Sequence, residues 1–373
     1  MIAQAEELLY PAERVLSEVG IVYPRSAFFW DEQDVELPRG IMDATNYRMT
    51  GGPDYMREVY ALYRTLAEIL NLAVDFLDED ELLVPASLAR FKVLFLTEPD
   101  LPLAAGAALV AWVKAGGTLI SVAGAGQYDE YDEPSVQFQA ELLGAGGAEA
   151  PKPRDISMPV FGKNGSMATP PPASFGNNQT GCTDSGDPLC GRFQAWGRTT
   201  KPSSSGAPAG EVLASFDDKS PALVANGVGK GKSVHCYFLP GTSFFWGYHG
   251  AGGVASQWTL AGLLFNLTTS DAVGGVAPPV TTSSTHVEAP LLEGPAGSVV
   301  TLLNWVPASP QWHGRVFNAS TSLLTVEVAL GFTPSKVQSV EHGALSATPV
   351  AGKSGVVSVT LPLESADFLL YYK

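Results

Sequence analysis

The sequence predicts an α/β protein with an open, doubly wound parallel sheet, followed by a small antiparallel β-sandwich. Three features point that way. Residues 92–122 read strand, helix, strand within about 35 residues, the length of a right-handed βαβ unit. Apolar runs of four or five residues alternate with helix-period segments through residues 19–127. Beyond a Pro/Thr/Ser stretch at Ala272–Ser284 the apolar period becomes two.

The 92–122 unit is the clearest. Lys92 to Leu96 is a short branched and aromatic run, suited to a strand buried on both faces. Asp100 is placed to cap a helix with Pro102 in its first turn, where a missing N–H costs little. Ala105, Leu109, Trp112 and Val113 share one face of that helix. Gly116-Gly117 ends it, and Thr118 to Val122 is a second strand opening into Ala123-Gly124-Ala125-Gly126. Before this unit, Val19 to Tyr23 is a strand closed by Pro24. A long loop is expected over Arg25 to Gly52, mixing aromatics with acids. A helix follows from Pro53-Asp54, with Met56, Val59, Tyr60, Tyr63, Leu66 and Leu70 on one face, then a strand at Val74 to Leu77. The order β-α-β-β-α-β is that of a flavodoxin-like sheet, whose working loops lie at the carboxyl ends of the strands.

After Gln127 comes an acidic loop, Tyr128 to Pro134. A short helix is expected over Phe138 to Leu143, stopped by Gly144. From about residue 146 to 210 Gly, Pro, Ser and Asn dominate, which predicts an insertion with little regular structure. A hairpin spans Ala222–Ala225 and Ser233–Leu239, and Ala255 to Leu267 is a closing helix. The expected division is therefore 1–271 for the α/β domain, 272–284 for a linker and 285–373 for the sandwich. Its strands are expected at Val299–Val306, Leu323–Ala329, Val337–His342, Val356–Leu361 and Phe368–Tyr372.

The 373 residues, 45% hydrophobic and 16% charged, suit folded domains with real cores. A net charge of −16 argues against a nucleic acid or an anionic membrane as partner. Met1 to Tyr10 lacks the apolar core of a signal peptide, and no run approaches a membrane span. The expectation is a soluble protein or a piece of a longer one. Three cysteines contain no C-x-x-C pair, and no histidine pair has helical metal-ligand spacing, so neither metal nor cofactor is expected. Cys236 reads as a core thiol, and Cys182 and Cys190 can bridge locally in an oxidising compartment. The turn Gly227 to Ser233 is not a phosphate loop, because Asn226 stands where its first glycine belongs and a strand follows.

Candidate chemistry gathers at the carboxyl edge of the sheet. Paired carboxylates can hydrolyse a glycosidic bond when held at the right separation. Glu98, Asp129 and Glu130, with Asp132, Glu133 and His249 nearby, are the candidate catalytic residues. Tyr23, Arg25, Trp30, Gln127 and Trp246 are candidate walls for a substrate, and Trp30, Trp246 or Trp305 can stack on a sugar ring.

Gly20-Ile21-Val22-Tyr23, Phe28-Phe29-Trp30, the helix from Tyr55, Val74-Asp75-Phe76 and above all VKAGGTLISVAGAGQYDE at Val113 to Glu130 resemble the beta-galactosidase trimerisation domain. In glycoside hydrolase family 42 that domain follows the catalytic barrel and has the fold of class I glutamine amidotransferases. Glu211 to Gly241 looks like the family's late strands, and Val287 to Glu293 with Leu302 to Trp305 like the small β-domain that follows. The resemblance implies self-association as a trimer and a wall for a carbohydrate site. It transfers no catalytic residue. The family's catalytic acid and nucleophile lie on a barrel, and the amidotransferase cysteine has no counterpart in Ala123 to Gly126. Two other readings stand beside this one. The first is a hydrolase of glycans using the acidic edge, and the second is a sugar-binding module.

Overall fold

In the computed structural model, the described residues are 2–34, 54–149, 163–168, 191–203, 208–249, 254–284, 287–304 and 322–373. A nine-stranded sheet organises the first part. Its order is Val74–Leu77, Val19–Val22, Val93–Leu96, Thr118–Ser121, Gly231–Cys236, Pro221–Val228, Glu211–Phe216, Lys163–Met167 and Arg192–Ala195. The first five strands are parallel and the remaining pairings antiparallel. The parallel strands are continuous apolar runs because both faces are covered. Val19, Ile21, Val93, Phe95, Ile120 and Val234 face a core built with Val59, Leu62, Leu66 and Leu264. Val22, Leu94, Leu96 and Leu119 face the other way, toward Ala105, Leu109, Val113 and Leu142.

The central unit folds as its sequence indicates, except at its cap. The helix is Leu103–Ala115, and Asp100 does not cap it; the Leu103 N–H donates to Glu130 Oε2 at 2.8 Å instead. Asp100 sits too early, because Pro102 already holds the capping position. Gly116, at φ +135°, ends the helix in a conformation that only glycine adopts without strain. Gly231 starts the next strand so close to this turn that a Cβ would lie 2.1 Å from the Val113 carbonyl.

Three other expectations change. The segment expected to be a loop from Arg25 begins as a helix, Arg25–Asp34, and residues 35–53 lie outside the described residues. The backbone N–H and Oγ of Ser26 both donate to Glu79, at 2.5 Å each, which anchors the first turn. The following helix runs Asp54–Tyr63 and widens into a π-helix at Arg64–Ile69. The buried stripe is Tyr55, Val59, Leu62, Leu66 and Leu70, and Tyr60 is exposed. Within the Gly/Pro/Ser-rich insertion, Lys163–Met167 and Arg192–Ala195 are strands that extend the main sheet, because Phe193 stacks on Phe238 with centroids 5.0 Å apart.

Helices Pro240–His249 and Val254–Thr269 cover one face. The first is capped by Glu58, a buried carboxylate accepting the N–H groups of Gly241 and Thr242 at 2.7 Å each. No helix among the described residues is long and apolar enough to cross a membrane.

The period-two segments form two packed antiparallel sheets. Leu291–Gly294, Gly297–Asn304, Ala366–Tyr372, Lys336–Ser339 and Gly343–Leu345 lie in one, and Val280–Thr282, Ser322–Ala329, Val356–Leu363 and Thr348–Pro349 in the other. Val280–Thr282 falls in the stretch expected to be a linker; it pairs with Ser322–Ala329 and buries Val280 and Thr282. The chain start also belongs here. Helix Ile2–Leu9 buries Ala5 and Leu8 against Val299 and Leu370, and Glu13–Arg14 pairs with the Leu291–Gly294 strand.

Candidate functional site: two buried clusters at the carboxyl edge

From Val19–Val22 the chain steps outward to Val74–Leu77, then returns past its start to Val93–Leu96. The strand order therefore reverses at Val19–Val22. Open α/β sheets bind ligands in the crevice at such a reversal, outside the carboxyl ends of the strands. Here those ends carry Tyr23, Arg25 and Ser26 on one side and Thr97-Glu98 on the other.

Glu79 and Glu98 form the first cluster. Both are buried, and Glu79 accepts two hydrogen bonds from Ser26. No donor reaches either carboxyl oxygen of Glu98. Burial first, then the neighbouring Glu79 carboxylate, hold the Glu98 carboxyl well above the usual carboxylate range. In its neutral form Glu98 has an O–H to give to Glu79. The Arg25 guanidinium lies 4.0 Å from Glu79 and bonds Asp80 at 2.7 Å, a contact that raises its pKa.

The second cluster lies two strands along. Ser121 and His235 are register partners on adjacent parallel strands. Ser121 Oγ is 2.7 Å from His235 Nδ1, and His235 Nε2 is 2.6 Å from Glu149 Oε1. A carboxylate only accepts, so His235 carries a proton on Nε2. Glu149 also accepts from Gly124 N at 3.0 Å, Gln127 Nε2 at 2.6 Å and Thr200 Oγ1 at 2.6 Å. The series Ser–His–Glu matches the residue types of a nucleophile relay. All three residues are buried, and the Gly124 N–H of the strand-end turn is already taken by Glu149. The arrangement is a closed, satisfied network.

The structure separates the acids that the sequence groups. Glu98 joins Glu79, not Asp129 or Glu130. Glu130 caps the Leu103–Ala115 helix, and Asp129 accepts the N–H groups of Tyr131 and Glu133 to close the acidic loop, in which Asp132 adopts positive φ. The short side chains in that loop satisfy their own backbone. Gln127 is buried in the Glu149 network, which removes it from any substrate wall. Trp30 donates its indole N–H to the Glu130 carbonyl at 3.1 Å and touches Phe29 edge-on. Tyr23, Arg25, Phe29 and Tyr131 are exposed, Tyr131 by 70%. Trp246 and His249 lie on the Pro240–His249 helix, but their side chains are outside those described. Cys182, Cys190 and Trp305 are also outside the described residues.

Sequence reasoning missed Glu79, Ser121, Glu149, Thr200 and His235. One signal was present. Glu149 is a lone acid in a Gly/Ala stretch, which is unusual for a solvated loop. Among the described residues, no group of three or more His, Cys, Asp or Glu side chains is placed to hold a metal ion. A separate groove of about 510 Å³ lies between the Val254–Thr269 helix and the smaller sandwich sheet, where Lys353 pairs with Glu327 at 2.7 Å.

No protein-family model and no curated protein matches the sequence. Solved structures do match by shape. A β-galactosidase from Bacillus circulans sp. alkalophilus is 18% identical, with a TM-score of 0.58 over 95% of this chain and 41% of that one. A catalytic mutant of Gan42B, a GH42 β-galactosidase from G. stearothermophilus, is 15% identical, with a TM-score of 0.54 over 96% and 41%. An α-L-fucosidase, isoenzyme 2 from Paenibacillus thiaminolyticus, is 13% identical, with a TM-score of 0.59 over 100% and 51%. The chain thus has a fold related to part of GH42 β-galactosidases, and it spans about two fifths of their length.

Proposed function

We propose that this chain is a non-catalytic assembly and accessory module of a carbohydrate-active enzyme, built on a flavodoxin-like, amidotransferase-type sheet. It self-associates, as a trimer in the resembling family, and walls a carbohydrate site. Its two units are the α/β domain within 1–271 and the sandwich of 285–373, which also takes in residues 2–14 and the Val280–Thr282 strand. The observation that carries this reading is the pattern of coverage. Nearly the whole chain matches less than half of one set of proteins named for β-galactosides, and about half of one named for α-L-fucosides. A scaffold common to both names is a poor place to set either specificity. The closed Glu149 network agrees with this, because it leaves no free N–H at Gly124 for an oxyanion. Exposed Tyr23, Arg25, Phe29 and Tyr131 supply the kind of surface that meets a sugar or a second subunit.

Sedimentation velocity tests the assembly claim, and a discrete oligomer is expected. Glycoside screening of the same sample tests the hydrolase reading. A strict monomer that turns over a nitrophenyl glycoside, and loses that turnover in Glu98→Gln, would overturn the proposal.

A further inference from the structure

We propose that the buried Glu79–Glu98 pair is a pH-sensitive catch on the Arg25–Asp34 helix, holding its first turn while Glu98 is neutral and releasing it when Glu98 ionises. The proposal is independent of whether the chain is an assembly module.

Both carboxyl groups are out of water, at the point where the strand order reverses. Glu79 is committed to the helix, since its two oxygens take the N–H and the hydroxyl of Ser26. Glu98 receives no hydrogen bond of its own. A neutral Glu98 satisfies the pair by donating to Glu79, whereas an ionised Glu98 leaves two buried negative charges side by side. The charged groups nearby do not repair this. Arg25 is 4.0 Å from Glu79 and is engaged with Asp80 at 2.7 Å, while Asp78, 3.8 Å from Arg25, adds further negative charge. Asp100, buried two residues beyond Glu98, is a third carboxyl on the same loop. The conformation that relieves the repulsion carries Glu79 outward with its exposed turn, and Ser26 then loses its anchor. Phe29 and Trp30 ride on the same helix, so the aromatic contact with the Glu130 loop goes with it.

The sign follows from proton linkage. Burial and Glu79 raise the folded-state value of Glu98 above its unfolded one. The closed state is therefore fully favoured below the ordinary carboxylate range and loses ground as pH rises through the raised value, by up to about tenfold per pH unit.

Amide hydrogen exchange at Ser26, expressed as protection over the unfolded chain, reads the catch directly. In the wild-type chain protection is expected to fall as pH rises. In Glu98→Gln, whose amide can donate to Glu79 at every pH, it is expected to stay flat. Equal slopes in the two proteins, or no slope in the wild type, would overturn the proposal. If the variant does not fold, the ¹³C carboxyl shift of Glu98 in the wild type decides: a neutral acid persisting above pH 6 supports the catch, and an ionised one there sinks it.

Discussion

His235 shows how much a single buried side chain can hold. It bridges Ser121 and Glu149, and Glu149 draws in Gly124, Gln127 and Thr200. Removing the imidazole leaves a buried carboxylate short of one donor and opens a void against Tyr237, whose ring stands edge-on at 4.7 Å. His235→Ala should cost about 3 kcal/mol in urea unfolding. Cys236, the next residue, is a thiol whose pKa burial pushes far up. It should resist alkylation in the native protein and react fully in guanidinium, as peptide mapping by mass spectrometry would show. The buried thiol was legible from its apolar strand, but the role of His235 was not. Strand alternation identifies faces, but nothing in residues 230–236 says that a glutamate 86 residues earlier returns to meet His235.

At the scale of elements, the sequence was a good guide where one local rule governs. The Val93–Leu96 and Thr118–Ser121 strands, the helix between them and the Pro221–Cys236 hairpin follow from apolar runs and turn glycines. It failed where a distant partner decides. Arg25–Asp34 is helical because Glu79 waits at its N-terminus, and Lys163–Met167 is a strand because the Glu211–Phe216 edge needs a neighbour. The π-turn at Arg64–Ile69 is equally silent, since its Arg64–Glu68 pair at 2.8 Å fits an ordinary helix just as well. Glycine gives a sharp test of this level. A Cβ at Gly231 would meet the Val113 and Gly117 carbonyls at 2.1 and 2.2 Å, whereas one at Gly227, four residues earlier, meets nothing within 4 Å. Gly231→Ala should force the helix end away from the hairpin and lower stability by about 3 kcal/mol or more. Gly227→Ala should stay within about 0.5 kcal/mol of wild type in the same melts.

For the molecule as a whole, the two halves are tied through a few defined contacts. Asn71, at φ +53°, donates to the Val287 carbonyl at 3.0 Å and accepts the Ala289 N–H at 2.7 Å. Its amide thus acts as a short extra strand edge for the sandwich segment. Leu8 is fully buried against Val299 and Leu370, so Leu8→Ala should destabilise the sandwich by about 3 kcal/mol. Hydrogen exchange would locate that loss in residues 297–304 and 366–372 rather than in the parallel sheet. This docking is not legible in the sequence, because the Ile2–Leu9 helix buries only two small or apolar side chains, Ala5 and Leu8, and their partners lie about 290 residues or more away.

The route of the backbone has one more implication. It starts on the sandwich, crosses to build the nine-stranded sheet, and returns to finish where it began. A nick in 272–279, ahead of the Val280–Thr282 strand, would therefore not release two free halves. The severed pieces would remain clasped through the Ile2–Leu9 helix and the Asn71 amide, and two separately expressed polypeptides divided there should find each other and reassemble.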